Sequence, residues 1–290
     1  MIKRLVRRTL RHLGYDILKV PPARPVRPVT EPPAVAPVWP LPRRARGLAD
    51  EDVRREFARF PHWHYAYSFE GGLSFRTAHN NPGLDTDDPV RPLQRFRHFM
   101  PYLVQAQGGT LKGKRILDIA CNSGFWSIQC ALLGAEVVGF DARPELIEQA
   151  NLVKSVTGVD NVEFRVLDFG RMSPETLGGK FDVVLNLGFL YHVPQPLEAL
   201  ERTRAMAREH VLLDTAVHPS GEAAIYLKWE EPFDIRTAAE AGVVALPTRA
   251  GVELMLRHLK FSGWTEIPVR TEDLPLDYLA NRRTSWLIQV

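Results

Sequence analysis

The chain is poor in cysteine: Cys121 and Cys130 are the only two in 290 residues. Two thiols cannot build a disulfide scaffold or a cysteine-ligated zinc centre, so a reducing cytoplasm is the expected compartment. No run of 18 apolar residues occurs, which excludes a transmembrane helix. The larger part of the chain also lacks a positive surplus. Residues 1–50 carry 11 basic against 3 acidic side chains, whereas the remainder carries 26 against 31. An enzyme that grips nucleic acid across its whole face is usually basic in its body; here only the arm is basic. His62 and His64 are too few for a metal site without neighbouring acids, and no metal is expected.

The basic arm has a pattern of its own. Ile2, Leu5, Val6, Leu10, Leu13 and Ile17 fall near helical spacing, with Lys3, Arg4, Arg7, Arg8 and Arg11 between them. Residues 1–20 therefore read as a basic amphipathic helix. Such a helix serves either as a peripheral contact with a membrane surface or polyanion, or as a helix that packs on its own body or a partner. Prolines crowd between Pro21 and Pro42, so residues 21–48 are expected to be a Pro/Arg-rich linker, extended and mostly disordered. Residues 49–112 read as a helical prelude or lid. Asp50-Glu51-Asp52 open one helix, and a second covers Pro92 to Val104 with Phe96, Phe99, Met100 and Leu103 on one face. Between them, Trp63, His64, Tyr65 and Tyr67 form either a lid over a ligand or a seam that pins the prelude to the body.

From Gly113 the chain alternates. Strands are expected at Arg115–Ala120, Val137–Phe140, Val162–Leu167, Phe181–Leu187 and Val211–Thr215. Helices are expected at Gly124–Leu133, Pro144–Val156 and Pro196–Ala207. The strands are nearly continuous in Val, Ile and Leu, as in sheets covered on both faces. After an irregular insert at 217–246 come a helix at Arg249–Lys260 and strands near Trp264–Val269 and Ser285–Val290. The expected fold class is α/β. It is a Rossmann-like, seven-stranded, mostly parallel sheet over residues 113–290, with helices on both faces, an antiparallel last strand and a helical N-terminal prelude.

The strongest local signal is Ile116-Leu117-Asp118-Ile119-Ala120-Cys121-Asn122-Ser123-Gly124, a strand running through a turn into a helix. Asp141 ends the next strand, placed to accept ribose hydroxyls at the carboxyl edge of a doubly wound sheet. A dinucleotide pyrophosphate needs glycines for close backbone approach, yet Ala120 and Asn122 stand where two of them would be. Asn tolerates left-handed backbone, so the turn survives, but it suits a ligand without phosphates. The competing reading is a Rossmann domain that binds a dinucleotide or nothing.

These residues resemble the class I S-adenosylmethionine-dependent methyltransferases, over about residues 113–216. The resemblance implies S-adenosyl-L-methionine as cofactor, with Asp118, Ala120, Cys121, Asn122 and Gly124 lining its amino-acid part. It further implies Asp141 and Ala142 at the ribose, and Asp168 and Phe169 at the adenine. The stretch Phe181 to Pro194 is the second signal. It sets Asn186, Gly188, Tyr191 and His192 at the carboxyl end of a central strand, with Asn186 and Gly188 beside the cofactor. Tyr191 and His192 either hold or deprotonate an acceptor hydroxyl, or they pack and cap the loop. The Leu187-Gly188-Phe189-Leu190-Tyr191-His192 pattern is similar to that of tRNA wobble-uridine (carboxy)methyltransferase relatives. Those that transfer carboxymethyl groups use a prelude lysine; none occurs in Trp63–Glu70. Arg95 is the candidate substitute and third substrate-side residue, although an arginine is not a copy of a lysine.

Within that resemblance, absences narrow the chemistry. No Asn-Pro-Pro-aromatic tetrapeptide occurs, which disfavours amino methylation of adenine. Neither cysteine follows a proline, which disfavours covalent pyrimidine chemistry. Plain methyl transfer to an oxygen of a small molecule or glycan is the expectation. A tRNA-modifying methyltransferase and a non-catalytic nucleoside-binding module are the alternatives. Selectivity is expected to reside in the 217–246 insert, with Tyr226, Lys228, Trp229 and Glu230, unless that insert is a cover making no direct contact.

Overall fold

The computed structural model describes residues 31–44, 48–75, 90–232, 238–270 and 273–290. The expected amphipathic helix at 1–20 and the first part of the linker lie outside them. The described residues all belong to one unit, Glu31–Val290.

The prelude contains α1 (Asp50–Ala58), β1 (Tyr67–Phe69), β2 (Leu73–Phe75) and α2 (Val90–Ala106). The main body follows with β3 (Arg115–Ile119), α3 (Phe125–Leu132), β4 (Glu136–Asp141), α4 (Pro144–Thr157) and β5 (Val162–Val166). It continues with α5 (Pro174–Leu177), β6 (Phe181–Leu187), α6 (Pro196–Met206) and β7 (Ala207–Ala216). The chain closes with β8 (Ile225–Glu230), β9 (Gly242–Pro247), α7 (Arg249–His258), β10 (Gly263–Glu266), α8 (Leu276–Leu279) and β11 (Arg283–Gln289).

Among the described residues seven strands form the main sheet, in the order β10-β11-β7-β6-β3-β4-β5. The pairs β3–β4, β3–β6, β4–β5 and β6–β7 are parallel, and β11 is antiparallel to both neighbours. The Rossmann-like architecture and the antiparallel last strand are as expected. The inner strands are apolar on both faces because helices flank the sheet: Val183, Val184, Val211, Leu212, Leu213 and Trp286 have no measurable exposure. Strand order reverses between β3 and β6, so the carboxyl ends of those strands open the crevice where such sheets bind ligands. Because β11 runs the other way, its first residue, Arg283, pairs with Ala216 at this same edge.

Three expectations change. The linker is extended, but its described part is docked. Val38 N–H donates to Gln129 Oε1 and Gln129 Nε2 donates to the Val38 carbonyl, both at 2.9 Å. Leu41 is buried, donating to the Ser68 carbonyl and accepting from Glu70 N–H. Gln129 is buried in α3, and the strap satisfies its amide. The aromatic loop of the prelude contains the β1–β2 hairpin and forms a seam. Trp63 stacks on Phe57 with ring centres 4.5 Å apart, and the Tyr67 hydroxyl donates to the Ser123 carbonyl at 2.6 Å. The insert is not wholly irregular, since β8 and β9 pair as an antiparallel hairpin. No helix among the described residues is long and apolar enough to cross a membrane.

Candidate functional site

The turn after β3 builds one side of the crevice. Ala120 and Asn122 both have φ of 52°, and Gly124 has φ of 83°. Two non-glycine residues in the left-handed region carry strain, of about 1–3 kcal/mol each, which persists only where surroundings enforce it. The enforcing bonds run from Cys121 N–H to the Phe140 carbonyl at 2.9 Å and from Asn122 N–H to Asp141 Oδ2 at 3.2 Å. Gly124 is required for a second reason: a Cβ there would stand 2.7 Å from Phe164 Cζ, so helix α3 could not approach β5. Cys121 is buried, and burial raises its thiol well above the ordinary range, so it is no nucleophile.

Asp118 lies beneath the turn and is 1% exposed. Burial pushes its carboxyl up to about 7, against which the Ser127 hydroxyl, donating at 2.6 Å, only partly works. This acid gains a proton on folding at intermediate pH, so its ionisation penalises the folded state. The penalty is absent below about pH 4 and grows as pH rises to about 7. Asp118→Asn keeps an acceptor for Ser127 and is expected to remove that loss. Urea unfolding from pH 4 to 8 should show the variant gaining on the parent as pH rises, and parallel curves would refute the assignment.

Asp141 ends β4 and is 7% exposed. One carboxylate oxygen accepts from Asn122 N–H and the other from the N–H of Arg143, the residue after Ala142, at 3.1 Å. Burial raises its pKa while these backbone donors pull it back. Asp168 is exposed after β5, and its Oδ1 caps the short helical turn Phe169–Arg171 through Gly170 N–H at 2.7 Å. The ring of Phe169 lies 4.6 Å from that of Phe189, so the ends of β5 and β6 share an aromatic wall. Phe189 was not among the expected site residues.

Gly188 follows β6 with φ of 91°, and a Cβ there would approach Arg283 Nη2 to 3.6 Å. Tyr191 and His192 sit in the next turn with ring centres 4.0 Å apart. Arg283 Nη2 donates to the Tyr191 hydroxyl at 3.3 Å and its guanidinium lies over the Tyr191 ring. Nδ1 of His192 bonds to Glu230 Oε2 from the β8–β9 hairpin.

Two expected residues are turned elsewhere. The Asn186 side chain is fully buried inside β6 and donates to Thr203 Oγ1 of α6 at 3.3 Å, away from the crevice. Arg95 is 5% exposed and donates to Asp214 Oδ1 at 2.6 Å and to the Tyr278 hydroxyl at 3.2 Å. A buried arginine on a carboxylate is committed to that partner, so it is not the free substrate-side cation anticipated from the prelude. Asp214 is the hub of this cluster. It also accepts from Tyr278 and Ser285 and pairs with Arg283 Nη1 at 3.4 Å. Asp214 follows the apolar run Val211-Leu212-Leu213 near the end of β7, which is a readable signal. Glu230 and Arg283 depend on pairings that no local pattern reports.

Residues 110–231 match the family model described as a methyltransferase domain. The ubiquinone biosynthesis O-methyltransferase of Bordetella parapertussis is 31% identical over 124 residues, 43% of this chain and 51% of that protein. The protein of the same name from Xanthomonas campestris pv. campestris is 33% identical over 128 residues, 44% of this chain and 52% of that one. The chain thus spans about half the length of the curated relatives it matches. Among solved structures, the N-terminal domain of EvdMO1, crystallised in the presence of SAH and D-fucose, shares the fold with a TM-score of 0.62. It is 22% identical, and the match covers 82% of this chain and 94% of that one.

Proposed function

We propose that the chain is an S-adenosylmethionine-dependent methyltransferase acting on a hydroxyl of a small molecule or glycan. The turn at 118–124 carries this reading. It holds left-handed backbone at Ala120 and Asn122, contains no cationic side chain for phosphates, and faces the Asp141 carboxylate across one hydrogen bond. That donor set fits a nucleoside with a free ribose diol and a cationic tail better than a dinucleotide. The Phe169–Phe189 wall and Asp168 suit its base. The bound cofactor supplies a methyl group already activated on a sulfonium, so the chain has mainly to orient and desolvate the acceptor. Asp118 adds a negative charge below the turn when ionised. Gly188 leaves room for the acceptor, and Tyr191, His192 and Arg283 surround it.

The hydroxyl acceptor is supported by the O-methyltransferase names of the relatives and by the sugar in the EvdMO1 crystals. The basic residues 1–50 favour a second reading, methylation of tRNA with that arm on phosphates. The test is incubation with methyl-labelled S-adenosylmethionine and three separate pools: catechol-type phenols, deoxysugars and total tRNA. Label in either of the first two is the expected result. Label confined to tRNA would establish the second reading, and binding of the donor without transfer would leave a nucleoside-binding module.

A further inference from the structure

The β8–β9 hairpin reaches back over the crevice with one face. In β8 the alternation sends Ile225, Leu227 and Trp229 to one side and Tyr226, Lys228 and Glu230 to the other. Glu230 is 8% exposed although it lies in an otherwise exposed strand. Its Oε1 accepts from Lys228 Nζ at 3.0 Å, and its Oε2 accepts from Ala238 N–H at 2.9 Å besides meeting His192 Nδ1. A buried carboxylate with three partners on this scale is a prepared acceptor, not an incidental surface acid.

We propose that Glu230 is a positioning residue that holds His192 in the tautomer protonated at Nδ1, leaving Nε2 as the proton acceptor for the hydroxyl that is methylated. The inference rests on the methyltransferase reading and adds a residue and an atom to it. An ionised carboxylate can only accept, so the proton between the two groups belongs to the ring nitrogen. Once Nδ1 donates, Nε2 of a neutral imidazole has a lone pair. Among the described residues Nε2 takes part in no hydrogen bond.

The charge balance keeps the ring neutral at rest. Burial, Lys228 and Arg283 disfavour a second proton, while Glu230 favours one; the first set prevails and the pKa lies below the ordinary histidine range. A ring held in one tautomer and neutral near pH 7 matches what a general base needs. In the transfer, the acceptor O–H proton moves to Nε2 and the oxygen bonds the methyl carbon. The carbon–sulfur bond breaks with its electron pair remaining on sulfur. The imidazolium later returns its proton to solvent. His218 supplies the contrast within the same chain. Its Nδ1 accepts from Ser220 N–H at 3.2 Å, so its proton is on Nε2.

The tautomer can be read directly, without knowing the acceptor. The full chain labelled with ¹⁵N-histidine is compared with Glu230→Leu and with Trp229→Ala, which alters the outer face of the same hairpin. Long-range ¹H–¹⁵N spectra at neutral pH are expected to show His192 protonated at Nδ1 only. Glu230→Leu, which removes the acceptor, should lose the pure Nδ1-protonated signature of His192, and Trp229→Ala should keep it. Calorimetry should give the same S-adenosylmethionine affinity in all three. A His192 ring protonated on both nitrogens above pH 8 would make the pair a structural ion pair and overturn the proposal. So would a tautomer unchanged in Glu230→Leu, which has no acceptor for Nδ1–H. Absence of donor binding in every form would instead overturn the methyltransferase reading, with the tautomer still measured.

Discussion

Replacing Asp141 with alanine is expected to abolish measurable binding of S-adenosylmethionine. The side chain does two jobs at once. It receives Asn122 N–H and Arg143 N–H, which holds the turn at φ of 52° for Asn122 against its strain. It also presents a carboxylate at the end of β4, where a ribose diol is accepted in sheets of this type. Hydrogen bonds to a charged group contribute about 1.5–3 kcal/mol each. Losing two to a ligand therefore weakens binding by about 10²–10⁴-fold, and relaxation of the turn adds to this. Asp141→Asn keeps one acceptor and should fall between. Titration calorimetry measures both, and an affinity within threefold of the parent would remove Asp141 from the site. Because the fold signal begins well after the arm, a chain starting at Glu31 is the suitable background for this measurement.

The second large effect is on stability. Asp214→Ala is expected to destabilise the protein by about 3–5 kcal/mol, because removing one member of a buried ion cluster leaves the others uncompensated. Asp214 has no exposed surface and serves Arg95, Arg283, Tyr278 and Ser285. Burial alone would raise its carboxyl, but Arg95 and Arg283 outweigh it and hold the group well below the usual carboxylate range. With the folded pKa depressed, its contribution is present above the ordinary carboxylate range, about pH 4, and is lost as acid titrates the folded group. Urea unfolding at pH 7 tests the size, and a change below about 1 kcal/mol would show that the two arginines find water or other partners.

Much of this architecture is legible in the sequence because the inner strands announce themselves. In Phe181–Leu187 the run Val183-Val184-Leu185 is apolar at consecutive positions because both faces are covered, and Pro144 and Pro196 mark helix starts. The turn at 118–124 is readable for the same reason: left-handed positions restrict residue choice. The two hairpins are harder. Strand β1 has three residues, too few for a period to show, and β8 is exposed on nearly every residue, so its alternation reports no core. The docked strap could not be read because its reason is Gln129, 91 positions away from Val38. Arg95 illustrates the general limit. A prelude arginine near a ligand edge looks available until its partner, 119 residues later, is known.

The ion cluster also bears on the order in which the molecule can assemble. Arg91 meets Asp277 across 186 positions, Arg95 meets Asp214 across 119, and Ser285 meets Asp214 across 71. Contacts of such sequence separation are slow to form, since loop closure precedes any compensating interaction. A ribosome-bound chain that has emitted β3 through β7 already possesses the turn at 118–124 and Asp141. It still lacks Tyr278, Arg283 and Ser285, the late members of the Asp214 cluster. The turn can therefore mature during synthesis, whereas the cluster around Asp214, and with it the arginine that meets Tyr191, waits for α8 and β11.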